Sequence, residues 1–414
     1  MSDAPREIKT TPPAGESVWS QIIRRFGGKM IRWVYRIRVS NAERIPVCGG
    51  ALLLPNHVTF ADAFFISSAC PRPVRFVMDE VFMAKPSIRW FVSIFNTVTI
   101  RRDQPREAVR ITIDALKNGD LVCLFPEGQL TRTGVLNELE RGCELIAKKA
   151  GHPVIPMWCD GAWDSIFSFE RGKVFAKRPY LKSYGISIAF GRKIAPKQID
   201  LETVRREMLV CSATAIAERF KDSRLQTDGQ PSTWINGYQV GQINALQRQQ
   251  KFCVLQTDAV PSAFTAFSEL FGVEMKTCDD FLPRQPAVWV GGEELRKWLG
   301  RKNPSQEIIF YDFSEDALIP MANPNIRHFP CLAINGIVVA MSMQHPPKPD
   351  ATSEYQAGYK PNSWGKLLPG FHLESAGNDR FKIFGPATPK CGLVLPMECA
   401  LDAEGFLVRN HSMV

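Results

Sequence analysis

What the 414 residues lack narrows the possibilities first. The longest uncharged apolar runs, near Phe91 to Phe95 and Ile337 to Met343, fall far short of the roughly 18 residues that a bilayer-crossing helix needs. Residues 1–17 are polar, contain Pro12-Pro13 and hold no apolar signal core, so secretion is not expected. Eleven cysteines occur without a single C-x-x-C pair, which indicates neither a zinc site nor a disulfide framework. Most sit inside apolar runs such as Leu121 to Phe125, as small buried hydrophobes do, and they imply a reducing, cytoplasmic compartment. There is no G-x-S-x-G elbow to carry a nucleophilic serine, no internal repeat and no low-complexity tract.

The composition that remains, 45% hydrophobic and 22% charged, is that of a globular protein. The net charge of +9 is unevenly spread: residues 1–225 hold 35 Lys+Arg against 23 Asp+Glu, and residues 226–414 hold 16 against 19. Only the first half is thus built to meet an anionic surface or substrate.

Residues 1–17 read as disordered. Residues 18–39 read as an amphipathic helix with Trp19, Ile22, Ile23, Phe26, Met30, Trp33, Val34 and Ile37 on one stripe, flanked by Arg24, Arg25, Lys29, Arg32 and Arg36. Tryptophans beside cations suit a membrane interface, and a helix packed on its own domain is the plain alternative. From Gly49 to Gly191 short apolar strands alternate with helical stretches, the rhythm of an α/β domain. Strands are expected at 50–55, 74–78, 96–101, 121–126, 154–159 and 186–190, and helices at 107–117, 136–150 and 202–221. The domain boundaries follow: residues 18–221 form the first domain, 222–233 a polar linker, and 234–414 a smaller α/β or α+β domain.

Three strand ends carry chemistry. The strand ending at Pro55 is followed by Asn56 and His57, with Asp62 five positions beyond His57. Between this block and the next, a strand terminates in Arg101-Arg102. The third ends in Phe125-Pro126-Glu127-Gly128 and continues into a polar loop with Arg132. Strand ends in an open α/β sheet can converge on one crevice. A neutral His57 could take a proton from an alcohol while Asp62 stabilises the imidazolium. Arg102 and Arg132 are candidates for holding a phosphate, the usual use of a guanidinium, whereas Arg101 suits a surface or membrane role. Singly, each residue has a plainer reading: a turn histidine, a capping carboxylate, a solvated charge.

These blocks resemble the glycerophospholipid (lysophosphatidate-type) acyltransferase family over roughly residues 35–215. The N-H-x-x-x-x-D motif is Asn56, His57 and Asp62; the arginine-terminated motif ends at Arg102; F-P-E-G is Phe125 to Gly128; the V-I-P strand is Val154-Ile155-Pro156. The resemblance implies that His57 is the base and Asp62 its partner, with Arg102, Glu127 and Gly128 binding a phosphorylated acceptor; Asn56 and Arg132 are further candidates for substrate binding. It also implies a fatty acyl donor, acyl-CoA or acyl carrier protein, and a lysophospholipid-type acceptor. Asn96 and Thr99 stand where many members have a glycine and an aromatic, and Gln129-Leu130 follow F-P-E-G.

The stretch Pro126 to Gly134 is similar to the acyltransferase half of bifunctional 2-acylglycerophosphoethanolamine acyltransferase/acyl-acyl carrier protein synthetases. Residues 234–248, 365–370 and 402–407 resemble scattered blocks of their AMP-binding half. The phosphate loop and catalytic lysine of such domains are missing, so a degenerate relic without adenylation is expected, docking an acyl carrier or stabilising the first domain. No cofactor, metal or nucleic-acid partner is expected; the cations follow an apolar stripe rather than a groove-reading motif. The expected location is peripheral, on the inner face of a membrane, through residues 18–39. A non-catalytic lipid-binding or scaffold protein that kept the fold is the alternative.

Overall fold

A computed structural model describes residues 18–80, 97–101, 104–163, 165, 167–169, 185–221, 231–241, 261–271, 287–302, 304, 307–346, 348, 354–377, 380–395 and 399–409. The chain divides into two compact units. One is drawn from Met1–Gln129, Leu139–Ala162 and Tyr180–Arg219, the other from Leu130–Glu138, Trp163–Pro179 and Phe220–Val414. Residues 1–17, the expected strand start at 96–97 apart from Thr97, and most of the expected linker lie outside the described residues.

The first unit is α/β. It opens with helix α1 (Val18–Val34), which ends where Arg36 takes a left-handed φ of 46° and the chain turns into strand β1 (Arg38–Ser40). Strand β2 (Ala51–Pro55) follows, then α2 (Asp62–Ala69), β3 (Val74–Asp79) and β4 (Val98–Ile100). Helix α3 (Pro105–Lys117) starts with proline at a position whose missing N–H costs nothing. After it come β5 (Leu121–Cys123), α4 (Gly142–Ala150), β6 (Val154–Asp160), β7 (Ser187–Phe190) and α5 (Leu201–Phe220).

The strands form one seven-stranded sheet in the order β1-β7-β6-β2-β5-β3-β4. β2 lies between β6 and β5 and is parallel to both, with Leu53 opposite Ile155 on one side and Cys123 on the other. All five β2 residues are buried, which is why this strand reads as an unbroken apolar run rather than an alternating one. Parallel register has a direct consequence for function: the C-terminal ends of β2 and β5 emerge side by side. Only β6 and β7 pair antiparallel, with Met157 opposite Phe190.

Helix expectations held at 107–117 and 202–221. At 136–150 the helix begins only at Gly142, because residues 130–138 fold with the second unit.

The second unit holds α6 (Pro231–Gly241), α7 (Ser262–Phe271), β8 (Ala287–Gly291), α8 (Glu293–Gly300), β9 (Ile308–Asp312), β10 (Ile326–Ile334), β11 (Ile337–Met341) and β12 (Ser363–Leu367). A small sheet of β13 (His372–Gly377), β14 (Arg380–Phe384) and β15 (Leu393–Val394) precedes β16 (Cys399–Leu401) and β17 (Phe406–Arg409). Its main sheet runs β16-β17-β12-β11-β10-β9-β8, parallel from β8 to β10 and antiparallel beyond. Trp289, Leu295, Leu299, Phe310 and Ile326 form a core cluster between α8 and the parallel strands.

Gly50, just before β2, is a measure of how closely the first unit is packed. A Cβ there would lie 2.1 Å from the Leu116 carbonyl oxygen, and backbone cannot swing aside as a side chain can. Gly50→Ala is expected to cost about 1–3 kcal/mol of stability, seen as a lowered midpoint in thermal unfolding followed by circular dichroism. An unchanged midpoint would contradict this packing of β2 beside the end of α3.

Candidate active site

The chain leaving β2 makes a tight turn before α2, and a single carboxylate organises it. Asp62 is the first residue of α2 and is 0% exposed. Its Oδ2 accepts hydrogen bonds from the backbone N–H of Val58 (2.7 Å) and Thr59 (2.9 Å), and lies 3.1 Å from Nδ1 of His57. Its Oδ1 accepts from the Thr59 hydroxyl at 2.7 Å. A carboxylate at a helix N-terminus is also favoured by the helix dipole. Because Asp62 can only accept, the Nδ1 proton is assigned to the imidazole, and Nε2 keeps its lone pair.

His57 is held from three further directions. Its backbone N–H donates to Glu127 Oε1 at 2.9 Å. Its ring stacks on Phe125, with centroids 3.7 Å apart and planes 20° from parallel. The residue before it, Asn56, spans to β6: its Nδ2 donates to the Cys159 carbonyl at 3.1 Å and its Oδ1 accepts from the Cys159 N–H at 2.7 Å. The His57 side chain keeps 19% of its surface exposed while its partner keeps none. The result is an oriented, partly exposed imidazole resting on a buried carboxylate.

The structure therefore brings Asn56, His57, Asp62 and Glu127 together. Asn56 spends both ends of its amide on the backbone of Cys159. Buried Glu127 holds the His57 main chain. Gly128 follows with φ +67°, a conformation that favours glycine, and its N–H donates to the Phe125 carbonyl. Arg102 lies outside the described residues. Arg101 is exposed, 3.7 Å from Glu80. Arg132 belongs to the second unit, where it is buried and its guanidinium donates to the Glu354 carbonyl. A guanidinium spent on a main-chain carbonyl has that much less to offer a phosphate.

Sequence reasoning did not single out Phe125 and Thr59 as site residues. Phe125 was legible as the apolar residue beside Glu127 at a strand end; Thr59 gave no signal beyond its place inside the turn.

Two cysteines border this region, on β5 and β6. Burial, then the nearby charge of Asp62, pushes the Cys159 thiol well above its ordinary range; burial, then Cys70 and Asp62, does the same to Cys123. Both are held toward the neutral thiol, the less reactive form. Among the described residues no three His, Cys, Asp or Glu side chains are grouped as a metal site would require.

Removing the Asn56 amide leaves the buried N–H and C=O of Cys159 without that partner. Asn56→Ala is expected to lower the unfolding free energy in urea by about 2 kcal/mol; an unchanged value would contradict the bridge between β2 and β6.

The family model described as acyltransferase matches residues 36–160. A chloroplastic 1-acyl-sn-glycerol-3-phosphate acyltransferase of Arabidopsis thaliana is 28% identical over 127 residues, covering 30% of this chain and 35% of the relative. The 1-acyl-sn-glycerol-3-phosphate acyltransferase of Pseudomonas aeruginosa is 29% identical over 126 residues, covering 30% and 48%. The chain thus spans between about a third and half of the length of these curated relatives. The crystal structure of the 1-acyl-sn-glycerophosphate acyltransferase of Thermotoga maritima is similar at 22% identity and a TM-score of 0.39, covering 49% of this chain and 80% of that one. Over the segment that carries His57, Asp62 and Glu127, this chain is similar to glycerophospholipid acyltransferases.

Proposed function

We propose that this chain is an O-acyltransferase that moves a fatty acyl group from a thioester, acyl-CoA or acyl carrier protein, to the hydroxyl of a lysophospholipid. The observation that carries the reading is the His57–Asp62 pair, with Nδ1 committed to a buried carboxylate and 19% of the histidine side chain left exposed. An alcohol is a poor nucleophile at its ordinary pKa, so the base must act as the C–O bond forms. Nε2 of His57 takes the hydroxyl proton while the oxygen attacks the thioester carbonyl. Asp62 stabilises the imidazolium across the Nδ1 hydrogen bond. The tetrahedral intermediate collapses to an ester and expels the thiolate, which recovers the proton from Nε2. No acyl-enzyme is needed.

The names of the relatives put 1-acylglycerol-3-phosphate first among acceptors, with 2-acylglycerophosphoethanolamine the second candidate from the sequence resemblance. Gly128 and the motif ending in Arg102 are the acceptor-binding elements in this reading. Glu127 serves the acceptor by fixing the turn beside it. The second unit is read as a relic of an acyl-activating domain without adenylation.

A lipid acceptor requires access to a membrane, and α1 is built for it. Phe26, Met30 and Trp33 recur at i, i+4 and i+7 and are all exposed, Trp33 at 81%. Lys29 and Arg32 stand exposed beside them. The opposite side is spent on the protein: Gly28 approaches Ser68 and Tyr35 packs edge-on against Phe65, both on α2. Contiguous exposed apolar residues flanked by cations mark an interfacial helix. No described helix is long and apolar enough to cross a membrane.

Two measurements test the proposal. Labelled acyl groups offered from acyl-CoA and from acyl carrier protein to a panel of lysophospholipids are expected to give product. His57→Ala should reduce the rate by roughly 10²–10⁴-fold. If no donor and acceptor pair reacts while the protein still binds liposomes, a lipid-binding scaffold that kept the fold takes the place of the enzyme. Separately, Trp33→Ser combined with Phe26→Ser should weaken partition into anionic liposomes by more than about tenfold while leaving the fold intact. Unchanged partition would remove α1 as the membrane contact.

A further inference from the structure

The turn that carries His57 also carries a large apolar side chain that the proposed chemistry leaves unused. Between His57 and α2, Val58 and Thr59 are buried and Ala61 is half-buried, whereas Phe60 is 45% exposed. The ring is not exposed because the turn is loose. On one side the Thr59 N–H donates to Asp62 Oδ2 at 2.9 Å, and on the other the Ala61 N–H donates to Thr59 Oγ1 at 3.1 Å. A single exposed phenylalanine is ordinary on a protein surface. This one is fixed on the turn of the proposed base, three residues from His57 and so at most about 11 Å from it along the chain.

What lies beside Phe60 follows from how α1 passes α2, both within the first unit. Gly28 approaches Ser68, near the C-terminal end of α2, and Tyr35, just past the end of α1, packs edge-on against Phe65, nearer the start of α2. The two contacts run in opposite order along the helices. The C-terminal end of α1 is thus carried toward the N-terminal end of α2, from which the chain leads back through Ala61 to Phe60. The exposed apolar residues of α1 run the same way, from Phe26 and Met30 to Trp33 and Val34, the last two 81% and 49% exposed. Phe60 therefore stands at the end of α2 toward which the α1 stripe runs, and the exposed cations Lys29 and Arg32 flank that stripe.

We infer that Phe60 holds the acyl chain that the acceptor already carries, so that the site selects acceptors with one long chain in place. The inference rests on the acyltransferase reading above and deepens it by assigning a residue to acceptor selection. In both candidate acceptors the reacting hydroxyl sits on the carbon next to the one bearing the existing ester. A hydroxyl at His57 therefore brings the first methylene groups of that chain within a few bonds of the base. The acceptor comes from a lipid surface, which the α1 stripe and its cations fit, whereas a thioester on coenzyme A or acyl carrier protein comes from water. An apolar ring between the base and the stripe is matched to the acceptor's chain rather than the donor's. Each methylene group it covers is worth roughly fourfold in affinity.

Steady-state kinetics on the full chain test this with 1-hexanoyl- and 1-decanoylglycerol 3-phosphate, or the corresponding 2-acylglycerophosphoethanolamines where those are the acceptors. Each is supplied below its micelle concentration and without vesicles, with palmitoyl-CoA or palmitoyl-acyl carrier protein as donor. The wild type is expected to favour the decanoyl acceptor in kcat/KM by more than about tenfold, and Phe60→Ser to lower that ratio about tenfold, the worth of about two covered methylene groups. Phe60→Leu, which keeps an apolar surface, should retain most of the ratio. Should the serine variant not fold, as circular dichroism reads it, Phe60→Ala takes its place with the same expected ratio. An unchanged ratio overturns the inference whatever the absolute rates, because a disturbed turn slows every acceptor alike. So does a wild type indifferent to acceptor length, or a leucine variant that loses as much as the serine one. A changed preference between decanoyl-CoA and palmitoyl-CoA as donors overturns it too, by putting the ring on the donor's chain. Absence of transfer by the wild-type protein to every acceptor overturns the acyltransferase reading, and this inference with it, whereas an active wild type with an unchanged ratio in the variant overturns this inference alone.

Discussion

The buried carboxylate of Asp62 is the constraint on which the site depends. A charge with no exposure must be surrounded by donors or it will not remain a charge. Val58 and Thr59 supply two main-chain N–H groups, Thr59 a hydroxyl and His57 an imidazole. Those demands curl residues 57–62 around one oxygen pair, set the start of α2, and leave the imidazole partly exposed. The five-residue interval between His57 and Asp62 is the distance over which the chain can wrap a carboxylate and still begin a helix on it.

The sheet supplies what the turn cannot. Parallel pairing of β2 with β5 and β6 sets the turn against Phe125 and Glu127 from one neighbour and the Cys159 backbone from the other. Each contact reaches His57 or the residue before it, so the histidine has little freedom to leave its position. Preorganisation of this kind lets a neutral imidazole act as a base without first being reoriented. The thiols of Cys123 and Cys159 beside it are buried.

Much of this was legible in the residues because strand ends and turns have local signatures. The apolar run before Asn56 and the polar turn after it gave β2 and the site, and the Glu107–Lys117 periodicity gave α3 within two residues of its start. The exposed stripe of α1 was visible as Phe26, Met30 and Trp33 at helical spacing. The hydrogen bonds of Asn56 and Arg132 were not legible, because both side chains bond to main-chain groups that only the folded sheet or the second unit brings near. The same holds for residues 136 and 137, where a helical pattern gave way to burial and to the hydrogen bonds of Asn137. Non-local main-chain partners leave no trace in spacing.

The proposed mechanism turns on Asp62 holding His57 by its Nδ1 proton. Nitrogen-15 spectra of histidine-labelled protein, assigned by comparison with His57→Ala, report the tautomer directly. The account predicts that His57 carries its proton on Nδ1 and a bare Nε2, and that Asp62→Ala abolishes this preference. A neutral His57 protonated on Nε2, or one indifferent to Asp62, would contradict it.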